Sequence, residues 1–548
     1  MIEVAKKIKW MPSFGLDREL DWLKNMHDWL ISKKNRYWGL ALPIYECGGC
    51  GEFEVIESRE ELKKRAVSGW IEFEGHSPHK PFIDEVKIKC LKCGKIVSRL
   101  NDVGNPWLDA GIVAYSTISE DNHSQPLYLK NKEEWRNWFP PDFITESFPG
   151  QFKNWFYAQI AMSTVMENEP PFKCILGYGT QLGEDGRPMH KSWGNAIEFN
   201  EGANKIGVDV MRWMFSRHNP ADNMLFGYKK ADEVRRQFYL MLWNIYKFFV
   251  EYANLDGFKA RHRKFFDGKQ QTAKNLVSSL SKPKNVLDRW ILSRFTGLII
   301  SVENNLKEFN AKDGALEIEK FVSDLSTWYI RRSRDRVWVN SNDQNNKNSF
   351  YTTLYYVLVN LSIIISPFIP FVAEEIYTNL TGGESVNLEN WPTINSKSKI
   401  RNPKLEQEME IARKVVEVGQ AERKILGIKI KIPLANMKLK VESIISIKLI
   451  SEEVWDVILK ELNVKNLTIN DSFHYPEKEV KVTAAQLEKE GKLRELIHQI
   501  QLNRKLKGLK PEDKIDLTIP KEFEKEKDLI ARRVLAKKIF LADKVIIQ

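Results

Sequence analysis

The 548-residue chain contains no unbroken run of about 18 apolar residues, the length a membrane-crossing helix needs, so no bilayer span and no membrane partner are expected. Its opening residues, Met1-Ile2-Glu3-Val4, lack the basic segment and apolar core of a secretory signal, and a cytoplasmic location is expected. Five cysteines are too few to staple a chain of this length, which excludes a disulfide framework. No low-complexity tract or internal repeat is visible either, so a repeat array is not expected.

What is present points to several packed domains. A hydrophobic fraction of 43% suffices for ordinary cores, and the length calls for three or four domains of about 100–200 residues each. Eighty-four Lys and Arg against 73 acidic residues give a formal charge of +11, much of it in the C-terminal half. That surplus makes nucleic acid a plausible partner, although a lysine-rich surface that binds nothing has the same signature.

Four of the cysteines form two matched pairs, Cys47-Gly48-Gly49-Cys50-Gly51 and Cys90-Leu91-Lys92-Cys93-Gly94. Such a turn aims backbone N–H groups at thiolate sulfurs and offers two soft ligands to one tetrahedral ion. The pairs lie further apart than in an ordinary zinc ribbon, and reduced structural or redox pairs remain the other reading. The polar stretch from Glu52 to Lys89 reads as an insertion built around the ion, with His76-Ser77-Pro78-His79 as a loop in it. Cys174 reads as a small buried residue.

From Val97 to Arg217 short strands and helices alternate. Ile144 to Phe156 reads as a strand end, a Pro149-Gly150 turn and a helix, which makes Glu146 and Gln151 candidates for substrate contact. The competing reading is a helix cap supplied by Ser147 or Glu146. Ile175 to Gly179 is a strand and glycine turn that feeds Gly186-Arg187-Pro188-Met189-His190-Lys191-Ser192-Trp193-Gly194-Asn195. Two glycines, a lysine, a serine and an asparagine in ten residues suit a polyphosphate, but most such loops are solvated turns.

Beyond Lys229 the periodicity becomes helical. Ala231 to Ala253, Val286 to Phe309, Asp313 to Val339 and Ser349 to Leu380 predict a four-helix bundle, with Asn340 to Asn348 a solvated loop. On the third helix, Trp328 to Trp338 interleaves aromatics with arginines, a pattern that suits unpaired bases and equally suits arginines paired to the bundle's own acids. Farther on, Ile428 to Ile432 and Val480 to Val482 read as strands, and Ala484 to Leu506 as a basic amphipathic helix of a small α/β module.

Taken in order, these segments resemble the class I aminoacyl-tRNA synthetases, most closely their isoleucyl branch. Trp29 to Ser32 with Asn35-Arg36-Tyr37-Trp38-Gly39 resembles the family's return from its editing insertion. His79 to Glu85 with the second cysteine pair resembles its metal-binding insertion, and Pro106-Trp107-Leu108-Asp109-Ala110-Gly111 a diverged Trp-Phe-Asp-Ser-Gly segment. Glu146 to Phe156 is similar to the adenylate-binding turn, although Phe148-Pro149-Gly150 stands where many relatives have an aspartate before the glutamine. Pro188 to Ser192 is similar to the Lys-Met-Ser-Lys-Ser loop, with Pro188 and His190 replacing its first lysine and first serine while Lys191 is kept. Leu287 to Trp290, Trp328 to Trp338, Pro367 to Phe371, Ala373 to Ile376 and Glu461 to Lys465 resemble the anticodon-binding and C-terminal parts.

The resemblance implies an α/β architecture followed by mostly α. Residues 1–45 would start the second half of a Rossmann-like catalytic domain, 46–98 form a zinc-binding insertion and 99–228 complete the catalytic fold. Residues 229–404 would form a helical anticodon-binding domain and 405–548 a C-terminal α/β tRNA-binding module. The implied activity is ATP-dependent activation of isoleucine, with Mg2+, and its transfer to tRNA-Ile. Lys191 and Ser192 would be catalytic, and Met189, His190, Lys191, Gly194 and Asn195 would bind ATP. Glu146, Gln151 and Trp155 would hold the aminoacyl-adenylate, and Trp328, Arg331, Arg332, Arg334 and Arg336 the tRNA. Cys47, Cys50, Cys90 and Cys93 would hold Zn2+. Family members also carry an N-terminal catalytic half with a His-Ile-Gly-His motif and an editing domain, neither of which occurs in these 548 residues. The expectation is therefore that this chain forms no adenylate alone, exposes an apolar face, and works with a separate N-terminal polypeptide. The other reading is a truncated paralogue that binds tRNA without charging it.

Overall fold

The computed structural model describes the chain except residues 35, 121–124, 259–282, 339–340, 342, 394–399, 442–449, 472, 477–478, 511, 544 and 548. Asn35 of the Asn-Arg-Tyr-Trp-Gly segment and part of the expected loop from Asn340 lie outside the described residues. Two compact units result, residues 1–196 with 218–226, and residues 197–217 with 227–548.

In the first unit, Lys9–Met11, Cys174–Tyr178 and Ile144–Ser147 form a three-stranded parallel sheet with Cys174–Tyr178 in the middle. Parallel strands need both faces covered, and the helices Phe14–Asn25 and Trp155–Met166 supply apolar residues for this. Their core holds Trp10, Leu23, Phe148, Phe156, Ile160 and Ile175. Gly177 is obligatory in the central strand, because a Cβ there would lie 1.6 Å from the Phe148 ring. Pro149 and Gly150 do not make the expected turn. They sit inside the short helix Phe148–Gln151, where proline fits the first turn because its missing N–H would have had no partner. The cysteine pairs belong to a separate small module, with the sheet of Ala66–Ser68, Lys87–Lys89 and Ile96–Ser98 and a core of Tyr45, Phe73, Val86 and Ile88.

The second unit is helical through most of its length. Tyr228–Val234 continues through a wider turn at Arg235–Tyr239 into Leu240–Leu255, and Val286–Lys307 matches the expected second helix. Ala311–Asp324 continues through Leu325–Ile330, Arg331–Ser333 and a tight turn at Arg334–Arg336. The expected fourth helix is two, Gln344–Ile365 and Pro370–Thr381. Pro367 and Pro370 explain the break: each removes a backbone donor and crowds the residue before it out of helical geometry. Asn340 to Asn348 is not all loop, since the helix begins at Gln344, and Lys347 is buried with its Nζ 2.8 Å from Asp256. Among the described residues, Gln344–Ile365 is the one helix long and apolar enough to cross a membrane, and 72% of its apolar window is buried inside the fold.

Helix Pro403–Ile425 joins the same core through Met409, Ala412 and Val415, as do Leu467 and Ile469 from the sheet beyond it. The core therefore runs on past residue 404 without a break. Two of the expected strands are absent. Ile428 to Ile432 is a turn, and the strand is Leu434–Leu439, beyond Pro433; Val480 to Val482 is irregular, with Val480 bonded through its N–H and carbonyl to the Asn466 amide. Helix Ala484–Leu506 forms over the expected residues, opened by a reciprocal cap between Thr483 and Gln486. It packs on a last sheet of Ile515–Pro520, Ala536–Ala542 and Ile546–Ile547 around Ile500, Leu517 and Ile530.

Candidate active site

Strands Ile144–Ser147 and Cys174–Tyr178 run in the same direction, with Glu146 beside Gly177 and Ser147 beside Tyr178. The chain therefore leaves both strands at the carboxyl end of the sheet, where open α/β sheets bind ligands. Glu146 lies near the end of the first strand, and Gln151 and Trp155 follow it. Glu146 Oε1 accepts the Ser147 N–H at 2.8 Å and the Tyr178 hydroxyl at 3.2 Å. Partial burial, with the Glu146 carboxylate beside it, pushes the Tyr178 phenol above its ordinary pKa. Gln151 Oε1 accepts the N–H of Trp155 at 3.3 Å, and Trp155 Nε1 donates to the Ala110 carbonyl at 3.2 Å. Ser147 precedes the short helix but makes no side-chain cap bond. The acceptor at the start of helix Trp155–Met166 is thus Gln151.

After the second strand comes the loop from Gly186 to Asn195. Its base is a tight reversal in which Gly183 donates to the Arg187 carbonyl and Leu182 bridges Pro188. Asp185 accepts both the Arg187 N–H at 3.0 Å and its Nε at 2.8 Å, which holds the carboxyl below the ordinary range. Asn195 closes the loop: its Oδ1 accepts the His190 N–H and its Nδ2 donates to the Pro188 carbonyl, both at 2.9 Å. Lys191–Trp193 forms a single tight helical turn that ends at Gly194, whose φ of +69° is left-handed. His190 rests edge-on against Trp193 at 4.4 Å, and Gln181 Nε2 lies 3.9 Å from the Met189 sulfur. Lys191 and Ser192 are exposed, and among the described residues their side chains form no hydrogen bond or ion pair. The expected ATP set is therefore brought together on one loop, with Asn195 engaged in shaping it and Lys191 presented outward.

The four cysteine sulfurs lie within 4.8 Å of one another, Cys47 3.4 Å from Cys93 and Cys50 3.7 Å from Cys90. Tetrahedral zinc at about 2.3 Å from each sulfur sets sulfurs about 3.8 Å apart, so the set fits that ion. The turns match as well: Gly51 donates to the Cys47 carbonyl and Gly94 to that of Cys90, with φ of +73° and +74°. The Gly49 N–H and the Cys93 thiol hold the Cys47 pKa down to about 6. His76 stacks on Phe82 at 4.0 Å and is not one of the four ligands. Cys174 is buried in the central strand.

The arginine-rich helix does not present the expected row to solvent. Arg336 is buried against Asp288, with two nitrogen–oxygen contacts of 2.7 Å, and the same carboxylate accepts Tyr329 at 2.8 Å and Ser349 at 2.7 Å. Trp328 is 9% exposed, with the Arg413 guanidinium 5.6 Å over its ring. Neither is a free stacking or phosphate group, because the bundle's own acid and cation have taken those places. Arg331 and Arg332 both reach Glu461, and Arg334 is exposed. The acids behind this arrangement, Asp288 and Glu461, lie in the segments Leu287 to Trp290 and Glu461 to Lys465, where the sequence shows no sign of their pairing. Tyr178 is likewise not legible in the sequence as a neighbour of Glu146.

A parallel-sheet α/β unit with an outward lysine loop, followed by a helical unit, matches known families in both parts. Residues 1–225 match tRNA synthetases class I (I, L, M and V), and residues 288–439 match the anticodon-binding domain of tRNA ligase. Over these segments the chain is similar to the class I tRNA synthetases. Within that class it is similar to isoleucine–tRNA ligases. It is 36% identical over 475 residues to that of Clostridium tetani (strain Massachusetts / E88), covering 85% of this chain and 42% of the relative. For the enzyme of Dehalococcoides mccartyi (strain ATCC BAA-2266 / KCTC 15142 / 195) the identity is 34% over 543 residues, covering 94% and 50%. For that of Methanopyrus kandleri it is 33% over 500 residues, covering 87% and 43%. The chain thus spans about half the length of these relatives.

Proposed function

We propose that this chain carries the C-terminal part of an isoleucine–tRNA ligase and contributes one side of its activation site. The observation that carries the reading is the placement of the Glu146–Trp155 turn and the Lys191 loop after two neighbouring parallel strands. In the reaction, the isoleucine carboxylate attacks the ATP α-phosphorus and pyrophosphate leaves with its Mg2+; a hydroxyl of the tRNA terminal ribose then attacks the acyl carbon of the adenylate, its proton is lost, and AMP leaves. The first step requires no acid or base on the protein, so positioning and charge neutralisation carry most of its catalysis. Lys191 meets the charge that develops on pyrophosphate, with Ser192, Met189, His190 and Gly194 around the phosphates. Asn195 holds the loop in shape, and Glu146, Gln151 and Trp155 cradle the adenylate.

The other side of the clamp is the His-Ile-Gly-His half that relatives carry, supplied by a separate polypeptide or an adjoining segment. Exposed Phe14, Leu30, Ile31, Tyr37 and Trp38 in the sheet unit support such a docking surface. Cys47, Cys50, Cys90 and Cys93 hold a zinc ion that cross-links the insertion. The helical unit, through Arg331, Arg332 and Arg334, faces tRNA-Ile, and a cytoplasmic location goes with this role. The test is aminoacylation of tRNA-Ile by this chain combined with the preceding catalytic half of a relative. Charging by the pair, absent from either part, supports the reading; tRNA binding with no charging under any pairing favours the non-catalytic paralogue.

A further inference from the structure

Pro106–Gly111, the segment similar to a Trp-Phe-Asp-Ser-Gly motif, is a six-residue helix of the sheet unit to which the reaction above gives no task. Its start is local: Asn105 Oδ1 accepts the Trp107 N–H at 3.2 Å, and Pro106 fits the first turn, where a proline lacks no needed donor. A helix this short has little stability of its own, so its place is set by what holds it from outside.

Several such holds converge on it. Asn105, 6% exposed, donates through Nδ2 to the Leu30 carbonyl at 3.0 Å, while its N–H meets the Ile31 carbonyl at 2.7 Å. Four residues on, Asp109 Oδ2 accepts the Leu40 N–H at 3.2 Å, and the Asp109 side chain makes no other hydrogen bond or ion pair among the described residues. Leu40 is itself a fixed point. Its carbonyl accepts the Gly104 N–H at 2.6 Å, and the preceding Gly39, with φ of +141°, passes so close to Gly104 that a Cβ would lie 2.5 Å from the Gly104 carbonyl oxygen. The far end of the helix is tied to the adenylate turn. The Ala110 carbonyl accepts Trp155 Nε1 at 3.2 Å, and Gly111 lies so near helix Trp155–Met166 that a Cβ would be 2.7 Å from the Ala158 carbonyl oxygen. The plainest reading, a capped surface helix, accounts for the Asn105–Trp107 bond. It does not account for a carboxylate that takes a backbone N–H 69 residues away, beside the carbonyl that holds the Trp155 indole.

We propose that Asp109 is a positioning residue for isoleucine activation. It braces the helix against Leu40, so that the Ala110 carbonyl keeps the Trp155 indole set against the aliphatic part of the substrate. The inference rests on the assignment of Trp155 to the adenylate site. Among the described residues no hydrogen bond joins this helix to the Lys191 loop, so the effect falls on the amino acid and not on ATP.

The experiment is isoleucine-dependent ATP–pyrophosphate exchange by the full chain paired with the preceding catalytic half of a relative, with KM for isoleucine and for ATP measured separately. Asp109→Asn keeps an oxygen on the Leu40 N–H and should stay within about twofold of the original pair. Asp109→Ala loses a hydrogen bond to a charged group and should raise the isoleucine KM about tenfold with the ATP KM unchanged. Thermal midpoint and zinc content report the fold. If the alanine chain does not fold, Asp109→Glu, which displaces the oxygen by one methylene, should raise the isoleucine KM at least about threefold. Trp155→Phe removes the indole N–H, so Asp109→Ala/Trp155→Phe should be no worse than the weaker of its two single variants. Additive losses in that double variant overturn the inference. So does an isoleucine KM that neither Asp109→Ala nor Asp109→Glu changes, a rise shared equally by both KM values, or a loss confined to kcat. No exchange by the original pair overturns the activation reading itself, and the inference with it.

Discussion

Replacing Glu19 by leucine should stabilise the sheet unit, and by more at pH 8 than at pH 5. Glu19 lies on helix Phe14–Asn25 with no solvent exposure, and neither carboxylate oxygen has a hydrogen-bond partner. Beside it is Tyr157, whose phenol is pushed up by burial and by Glu19. Burial raises the Glu19 pKa from 4.5 to about 8. The carboxyl is thus protonated in the folded chain at neutral pH and ionised in the unfolded one. Stability from this group is complete below pH 4.5 and is lost as pH rises toward 8, by about 4 kcal/mol at about 1.4 kcal/mol per pH unit. Leucine removes that loss, together with about 1–2 kcal/mol for an unpaired neutral carboxyl that persists at low pH. Urea unfolding of the unit, followed by tryptophan fluorescence at several pH values, should show the fall between pH 5 and 8 in the original chain and a flat profile in Glu19→Leu. Parallel pH profiles for the two proteins would refute the argument.

Asp288→Ala strands the buried Arg336 charge and two hydroxyls, so it should cost about 3–5 kcal/mol and lower the helical unit's calorimetric midpoint by about 10 °C. A shift within experimental scatter would mean that Asp288 is not the hub. Arg336→Met, at a temperature where the variant is folded, should leave the salt slope of tRNA binding unchanged; a shallower slope would restore Arg336 to the RNA contacts. Native mass spectrometry should find about one zinc per chain, absent from Cys47→Ser/Cys50→Ser, and zinc retained by that variant would place the metal elsewhere.

Legibility in the sequence depends on how local each feature is. The cysteine turns, the strand before Gly179 and helix Ala484–Leu506 depend on spacing and caps within a few residues, and each is readable from the sequence. The Lys191 loop is readable as a polar glycine turn, but the task of Asn195 is not, because an amide that closes a loop and one that meets a ligand have the same sequence. Which arginine of the third helix is buried is unreadable for a longer-range reason: Arg336 finds Asp288, a partner 48 residues away. Periodicity also runs across Pro367 without registering the break, since apolar spacing continues on both sides. At Ile428 to Ile432 alternation imitates a strand, while tertiary contacts with Arg423 make a turn.

On the proposed reading, Lys191 neutralises departing pyrophosphate at a site of which this chain supplies one side. Isoleucine-dependent ATP–pyrophosphate exchange tests it most directly, measured on these 548 residues alone and with the preceding catalytic half of a relative, each with Lys191 intact and as Lys191→Ala. The chain alone should give no exchange, the pair should exchange, and Lys191→Ala should lower the pair's rate about 100-fold. Exchange by the chain alone, or an unchanged rate without Lys191, would contradict it.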